Sequence, residues 1–125
     1  LEMLQARGVS LAVASNKYQA ATEALVRKYF PTIKFAAVFG QRDGVPVKPD
    51  ATIVRDIQRA AGCPDNADAL YIGDSLVDLN TAGNAGVEFV AVTWGFCPRE
   101  QLVENNPAYI ADSAEQLKAL LFDGE

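Results

Sequence analysis

Five short apolar runs, each followed by a stretch with helical periodicity, constrain this chain more than any other feature of it. They are VSLAVAS (9–15), FAAVFG (35–40), ALYIG (69–73), FVAVTW (89–94) and YIA (109–111). The longer runs are continuous rather than alternating, as expected of strands buried on both faces. Between the first two lies a helix with Tyr18, Ala21, Leu25 and Tyr29 on one face, closed by Pro31. A second helix spans 50–61, with Ile53, Ile57 and Ala60 or Ala61 as its stripe and Gly62 as its stop. Short helices follow through Leu79 and Ala82 and over 99–104. Ser113-Ala114-Glu115-Gln116 forms a capping box that opens a last helix through Leu117, Leu120 and Leu121. Strand and helix alternate from end to end, without linker or repeat. The prediction is one α/β domain over 1–125, three layers around a parallel, Rossmann-like sheet.

Composition removes several classes of chemistry. The chain has no histidine, so Ser-His-Asp triads, Cys-His dyads and histidine-held zinc are out. Its formal charge is -5 and it has no basic cluster, which argues against nucleic acid and anionic membranes as partners. The two cysteines, Cys63 and Cys97, form neither a disulfide framework nor a metal knuckle and suit a reducing cytoplasm. No apolar run approaches the roughly 20 residues of a membrane span.

In an α/β sheet ligands gather at the carboxyl ends of the strands. Strand one ends in Ser15-Asn16, strand three in Gly73-Asp74-Ser75 with Asp78 one turn on, and Val47-Lys48-Pro49-Asp50 stands before a helix. Each has a plain reading. Ser15, Asn16, Asp74 or Ser75 can cap a helix, Lys48 can be a solvated surface charge, and Pro49-Asp50 can simply start a helix. Together they read differently. A hydroxyl and backbone N–H groups hold phosphate oxygens. A lysine neutralises phosphate as a compact cation. Two carboxylates hold Mg²⁺, which prefers oxygen ligands and keeps several waters. That set suits Mg²⁺-dependent phosphoryl transfer.

The order VASN, VKPDA, YIGDSLVDLNTAGNAG, VAVTWGF resembles the haloacid dehalogenase superfamily, and within it the phosphoglycolate phosphatase-like group. The resemblance implies a Mg²⁺-dependent phosphatase with 2-phosphoglycolate as the group-level substrate. It implies Ser15 as the hydroxyl on the transferring phosphoryl group, Asn16 beside it through its backbone N–H and side chain, and Lys48 as the lysine of the phosphate and nucleophile. Asp74 would be a metal ligand and Asp78 would act near the metal, as ligand or through water. Ser75 would orient the loop, and Trp94 would be structural.

The family's first motif, Asp-x-Asp-x-Thr or Val, supplies the nucleophile and the general acid and base. The aspartates here stand at 43, 50, 56, 65, 68, 74, 78, 112 and 123, and no two are separated by a single residue. LEMLQARG, beginning at Leu1 and stopping at Gly8, reads as the end of a helix already under way. The resemblance therefore implies the C-terminal part of a core domain, incomplete, with first strand and cap missing. The strands that would flank the missing one are expected to show unpaired edges, filled by an N-terminal segment or a second copy. A normal five-stranded order would overturn that expectation. The alternatives are a catalytically inactive fragment or binding module, and a related phosphomutase. A signalling receiver domain fits worse, because its acids precede its hydroxyl and lysine.

Overall fold

The computed structural model describes residues 1–62, 69–95 and 97–122. Cys63, Asp65, Asp68, Phe96 and Asp123 lie outside the described residues. The chain forms two compact units, Leu1–Ala67 and Asp68–Glu125. All strand pairing is parallel, in one sheet of order β1-β2 and another of order β3-β4-β5.

The first unit runs α1 (Glu2–Ala6), β1 (Ala12–Tyr18), α2 (Gln19–Tyr29), β2 (Ala37–Gln41) and α3 (Thr52–Ala60). α1 stops as LEMLQARG predicts, with Gly8 at φ 79°. β1 begins later than VSLAVAS and runs past it. Its pairing with β2 holds from Ala12↔Ala37 to Ala14↔Phe39, breaks, and resumes at Tyr18↔Gln41. Ser15, Asn16 and Lys17 occupy that break, a bulge of the kind that re-aims side chains beside functional sites. The helix after it is capped at Tyr18, with no side-chain cap, so neither Ser15 nor Asn16 is its N-cap.

The apolar face expected for α2 is also corrected. Tyr18, Leu25 and Tyr29 are exposed, and the buried residue of the helix is Thr22. Backbone demand explains this. Thr22 Oγ1 donates to the Tyr18 carbonyl (3.1 Å). Gln19 Nε2 donates to the Val38 carbonyl (2.7 Å) and its Oε1 accepts from Gly40 N–H (2.7 Å). The polar side of α2 thus completes the ladder where β1 bulges away. α3 buries Ile53, Val54 and Gln58, and Asp50 opens it by accepting from Thr52 N–H (2.9 Å).

The second unit runs β3 (Leu70–Gly73), α4 (Leu76–Ala85), β4 (Glu88–Val92), α5 (Arg99–Glu104), β5 (Tyr109–Ala111) and α6 (Ala114–Phe122). β4 is the central strand, and its alternate residues face two cores. Phe89 and Ala91 pack with Ala82 of α4 and Leu102 of α5, while Val90 and Val92 pack with Ala111 of β5 and Leu117 of α6. Helices therefore cover both faces of this sheet. The capping box forms with a one-residue offset: Ser113 Oγ accepts from Gln116 N–H (3.1 Å), and Gln116 Oε1 accepts from Asp112 N–H (2.7 Å).

Double burial holds for β4 but not for β1 or β3. Among the described residues β1 is bonded to β2 alone and β3 to β4 alone. Leu70 and Ile72 of β3 remain exposed, at 41% and 39%. A strand bonded on one side presents unpaired backbone groups along its other edge.

Candidate functional site

The five residues singled out from the sequence fall into two groups, three in the first unit and two in the second. Asn16 and Lys48, 32 residues apart, meet through side chain and backbone. Lys48 N–H donates to Asn16 Oδ1 (3.0 Å) and Asn16 Nδ2 donates to the Lys48 carbonyl (3.4 Å). The Lys48 ammonium donates to the Ala14 carbonyl (3.3 Å), which places it at the end of the regular part of β1. The Lys48–Pro49 peptide is cis. Ser15 Oγ accepts from Lys17 N–H (3.1 Å), a local turn that holds the bulge and leaves the hydroxyl hydrogen directed elsewhere. Ser15 and Asn16 line a small cleft with Gly40, Gln41, Arg42 and Val45. Sequence reasoning passed over Arg42. Its guanidinium lies 4.2 Å from the Phe39 ring centroid and pairs with Asp56 (3.2 Å). An apolar run ending in a polar turn carries no signal of such a stack.

In the second unit Asp74 and Asp78 divide the work of the β3–α4 junction. Ser75 is the N-cap of α4, accepting from Asp78 N–H (3.1 Å). Asp78 is buried. Its Oδ1 accepts from the Tyr71 hydroxyl (2.8 Å) and its Oδ2 from the Ser75 hydroxyl (3.0 Å). Gly73 makes this possible, since a Cβ there would stand 2.6 Å from the Asp78 Cβ. Asp74 is different. Among the described residues no group donates to its carboxylate, which lies against Gly95 of the loop after β4. That loop is tied on both flanks to Asp112: Thr93 Oγ1 donates to it (2.7 Å) and so does Arg99 Nε (3.0 Å). These donors, Arg99 first, hold the Asp112 carboxyl below its ordinary range. Trp94, in the same loop, is 53% exposed, which is not the burial expected of a structural tryptophan.

The donor set can be set against Mg²⁺ directly. Among the described residues Asp74 offers a hard carboxylate with no competing hydrogen bond, whereas each Asp78 oxygen already accepts one. Among the described residues no three His, Cys, Asp or Glu side chains cluster as a metal cage. Mg²⁺ asks for one or two carboxylates plus water and substrate oxygens, so Asp74 fits the ion as one ligand of several.

Tyr71 is the residue here that sequence reasoning missed, because a tyrosine inside ALYIG reads only as strand core. Burial first, then the charge and hydrogen bond of Asp78, push its hydroxyl far above the ordinary tyrosine range. In the unfolded chain Tyr71 loses its proton near pH 10, while in the folded chain it keeps it. The stability this group contributes is therefore complete below about pH 10 and is lost as pH rises further, at up to about 1.4 kcal/mol per pH unit. Tyr71→Phe is expected to flatten that alkaline decline, and to cost about 1–3 kcal/mol at neutral pH by leaving a buried Asp78 oxygen without its donor. Urea midpoints of both proteins at pH 8, 10 and 11 check it. An equal alkaline slope in the two would show that the Tyr71 proton is not held.

Comparison with known proteins agrees in kind. A family model described as haloacid dehalogenase-like hydrolase matches residues 1–92. The phosphoglycolate phosphatase of Mesorhizobium japonicum is 40% identical over 92 residues, 74% of this chain and 40% of that protein. The phosphoglycolate phosphatase of Agrobacterium fabrum is 33% identical over 124 residues, 98% of this chain and 52% of that protein. A crystal structure from Lactobacillus delbrueckii subsp. bulgaricus, described there as a candidate phosphoglycolate phosphatase, superposes with a TM-score of 0.87 at 35% identity, over 96% of this chain and 49% of that one. The chain spans about half the length of the proteins it matches.

Proposed function

The chain belongs to the haloacid dehalogenase-like hydrolases, in their phosphoglycolate phosphatase-like group, and from that premise we propose that it is the phosphate- and metal-holding part of a Mg²⁺-dependent phosphatase for a small phosphorylated metabolite, with 2-phosphoglycolate as first substrate. The observation that carries this reading is the joining of Lys48 to the Ser15-Asn16 bulge across 32 residues. In the proposed mechanism the Ser15 hydroxyl and the bulge N–H groups hold phosphoryl oxygens. The Lys48 ammonium neutralises charge as the phosphoryl group transfers. Asp74 takes a position on Mg²⁺, whose chemistry when bound is to neutralise and orient phosphate oxygens. Asp78 anchors the β3–α4 turn that presents Asp74, a supporting role for one of the two acids first marked as metal ligands.

The nucleophile of this reading is an aspartate outside the chain, because the chain has no D-x-D. The open edges of β1 and β3 support pairing with a strand from elsewhere that carries it, from an N-terminal segment or a second copy. The cytoplasm is the proposed location, supported by the free thiol of Cys97. Among the described residues no helix is long and apolar enough to cross a membrane.

The test is completion. The chain alone, with Mg²⁺ and either 2-phosphoglycolate or an aryl phosphate, is expected to release no phosphate above background, as an inactive fragment or binding module would. Fused behind the part of the Agrobacterium relative that it does not match, it is expected to turn over 2-phosphoglycolate. A completed, folded protein inert toward small phosphate monoesters would overturn the phosphatase reading. Turnover by the chain alone that vanishes in Asp74→Asn would place the nucleophile inside it.

A further inference from the structure

Asn16 is an exposed residue whose carboxamide is bonded to the peptide backbone of Lys48. It accepts from Lys48 N–H at 3.0 Å and donates to the Lys48 carbonyl at 3.4 Å. One planar amide thus reads both polar groups of one residue, as a neighbouring strand would. The segment it grips has no ladder of its own. Between β2 and α3 the chain is built of turns, with Val45 N–H on the Arg42 carbonyl (3.2 Å) and Asp50 N–H on the Val47 carbonyl (3.0 Å). Lys48 is also the residue whose ammonium must stand in one place to act on a phosphate, and that ammonium reaches back to Ala14, two residues before Asn16. A lysine side chain has four rotatable carbons and much rotamer freedom. Fixing its backbone against the bulge removes the backbone's share of the ammonium's positional freedom before any ligand arrives.

We infer that Asn16 is a positioning residue for Lys48: its side chain clamps the Lys48 peptide to the β1 bulge so that the ammonium is held at the strand end beside Ser15. Asn16 then acts through Lys48 and its side chain is not available to the phosphoryl group, which departs from the direct role its place in the motif implies. The inference rests on the phosphate-binding reading of Lys48 for its purpose, but the clamp itself is measurable without it.

The experiment uses the ¹⁵N-labelled chain, with exchange of the Lys48 backbone amide and side-chain ammonium followed by NMR, and inorganic phosphate as the titrant. In the unsubstituted protein both Lys48 signals are expected to be protected, and the ammonium to shift with phosphate. Asn16→Ala is expected to speed exchange of the Lys48 amide by tenfold or more and to weaken phosphate about tenfold, with the urea midpoint nearly unchanged. Asn16→Asp can still accept from the Lys48 N–H but cannot donate to its carbonyl. It is expected to keep part of the amide protection, and it decides the matter if Asn16→Ala does not fold. Ser15→Ala is expected to weaken phosphate while leaving Lys48 protected, a split that general loosening would not produce. Lys48 exchange that is the same in all three variants as in the parent overturns the clamp. Lys48 released in Asn16→Ala, with no phosphate response even in the parent, supports the clamp and removes the phosphate reading instead.

Discussion

Lys48→Ala in the completed enzyme is expected to lower kcat about 10³-fold, with KM for the phosphate ester changed far less. Catalysis of phosphoryl transfer consists mostly of positioning and of charge placed where charge develops, and removing one preorganised donor of that kind costs about 10²–10³ in rate. A full positive charge at the end of β1 belongs at the upper end of that range. Lys48→Arg is expected to recover less than tenfold of the loss. The guanidinium is broad and planar where the ammonium is a compact point charge, and the ammonium here donates to the Ala14 carbonyl. Folding should be nearly indifferent to both changes, so urea midpoints separate lost charge from lost structure. Steady-state kinetics with 2-phosphoglycolate give the answer. A Lys48→Ala enzyme within tenfold of the parent would mean that the lysine only anchors the loop, the plain reading of a surface charge.

The parts of this fold that were legible are those where one physical demand dominates. β4 reads as FVAV because both its faces are covered, by Ala82 and Leu102 on one side and Leu117 on the other. The capping box at Ser113 was legible because a helix start has few chemical solutions. α2 was misread because its inner face serves the β1–β2 ladder with Gln19 and Thr22 rather than a greasy core. Hydrophobic periodicity cannot register a face selected for hydrogen bonding. Within the candidate site, residue type located Ser15, Lys48, Asp74 and Asp78, but not their division of labour. Two aspartates four residues apart look alike in sequence. Only the placement of the Tyr71 and Ser75 hydroxyls makes Asp78 an internal acceptor, while among the described residues Asp74 has no donor. The packing of Gly95 against Asp74 was not legible for a related reason: its value lies in a side chain it does not have.

Gly95→Ala is accordingly the substitution that tests Asp74 without touching a carboxylate. A methyl group at position 95 would stand 2.6 Å from the Asp74 Cβ and overlap the carboxylate itself. The Cβ is one bond from the backbone, so a rotamer change of Asp74 cannot clear the clash, and either the β3–α4 turn or the 93–95 loop must move. The loop is held at Thr93 and Arg99 by Asp112, and the turn is held by the Ser75 cap and by Asp78. With the loop tied, the backbone at Asp74 is pushed away from position 95 and its carboxylate with it. The expected result is a rise of thirtyfold or more in the Mg²⁺ concentration for half-maximal rate in the completed enzyme. A second readout needs no turnover. The chain has one tryptophan, Trp94, in the same loop, so Tb³⁺, another hard ion for oxygen ligands, should emit when Trp94 is excited. That emission is expected in the parent and absent in Gly95→Ala and in Asp74→Asn. Gly83→Ala is the control: it lies in α4 with open space around the added methyl and is expected to stabilise the helix by about 0.5–1 kcal/mol while leaving Tb³⁺ emission intact. Sensitised emission that survives Asp74→Asn would place the ion elsewhere, and emission undiminished in Gly95→Ala would show that the packing of Gly95 against Asp74 does not set the metal position.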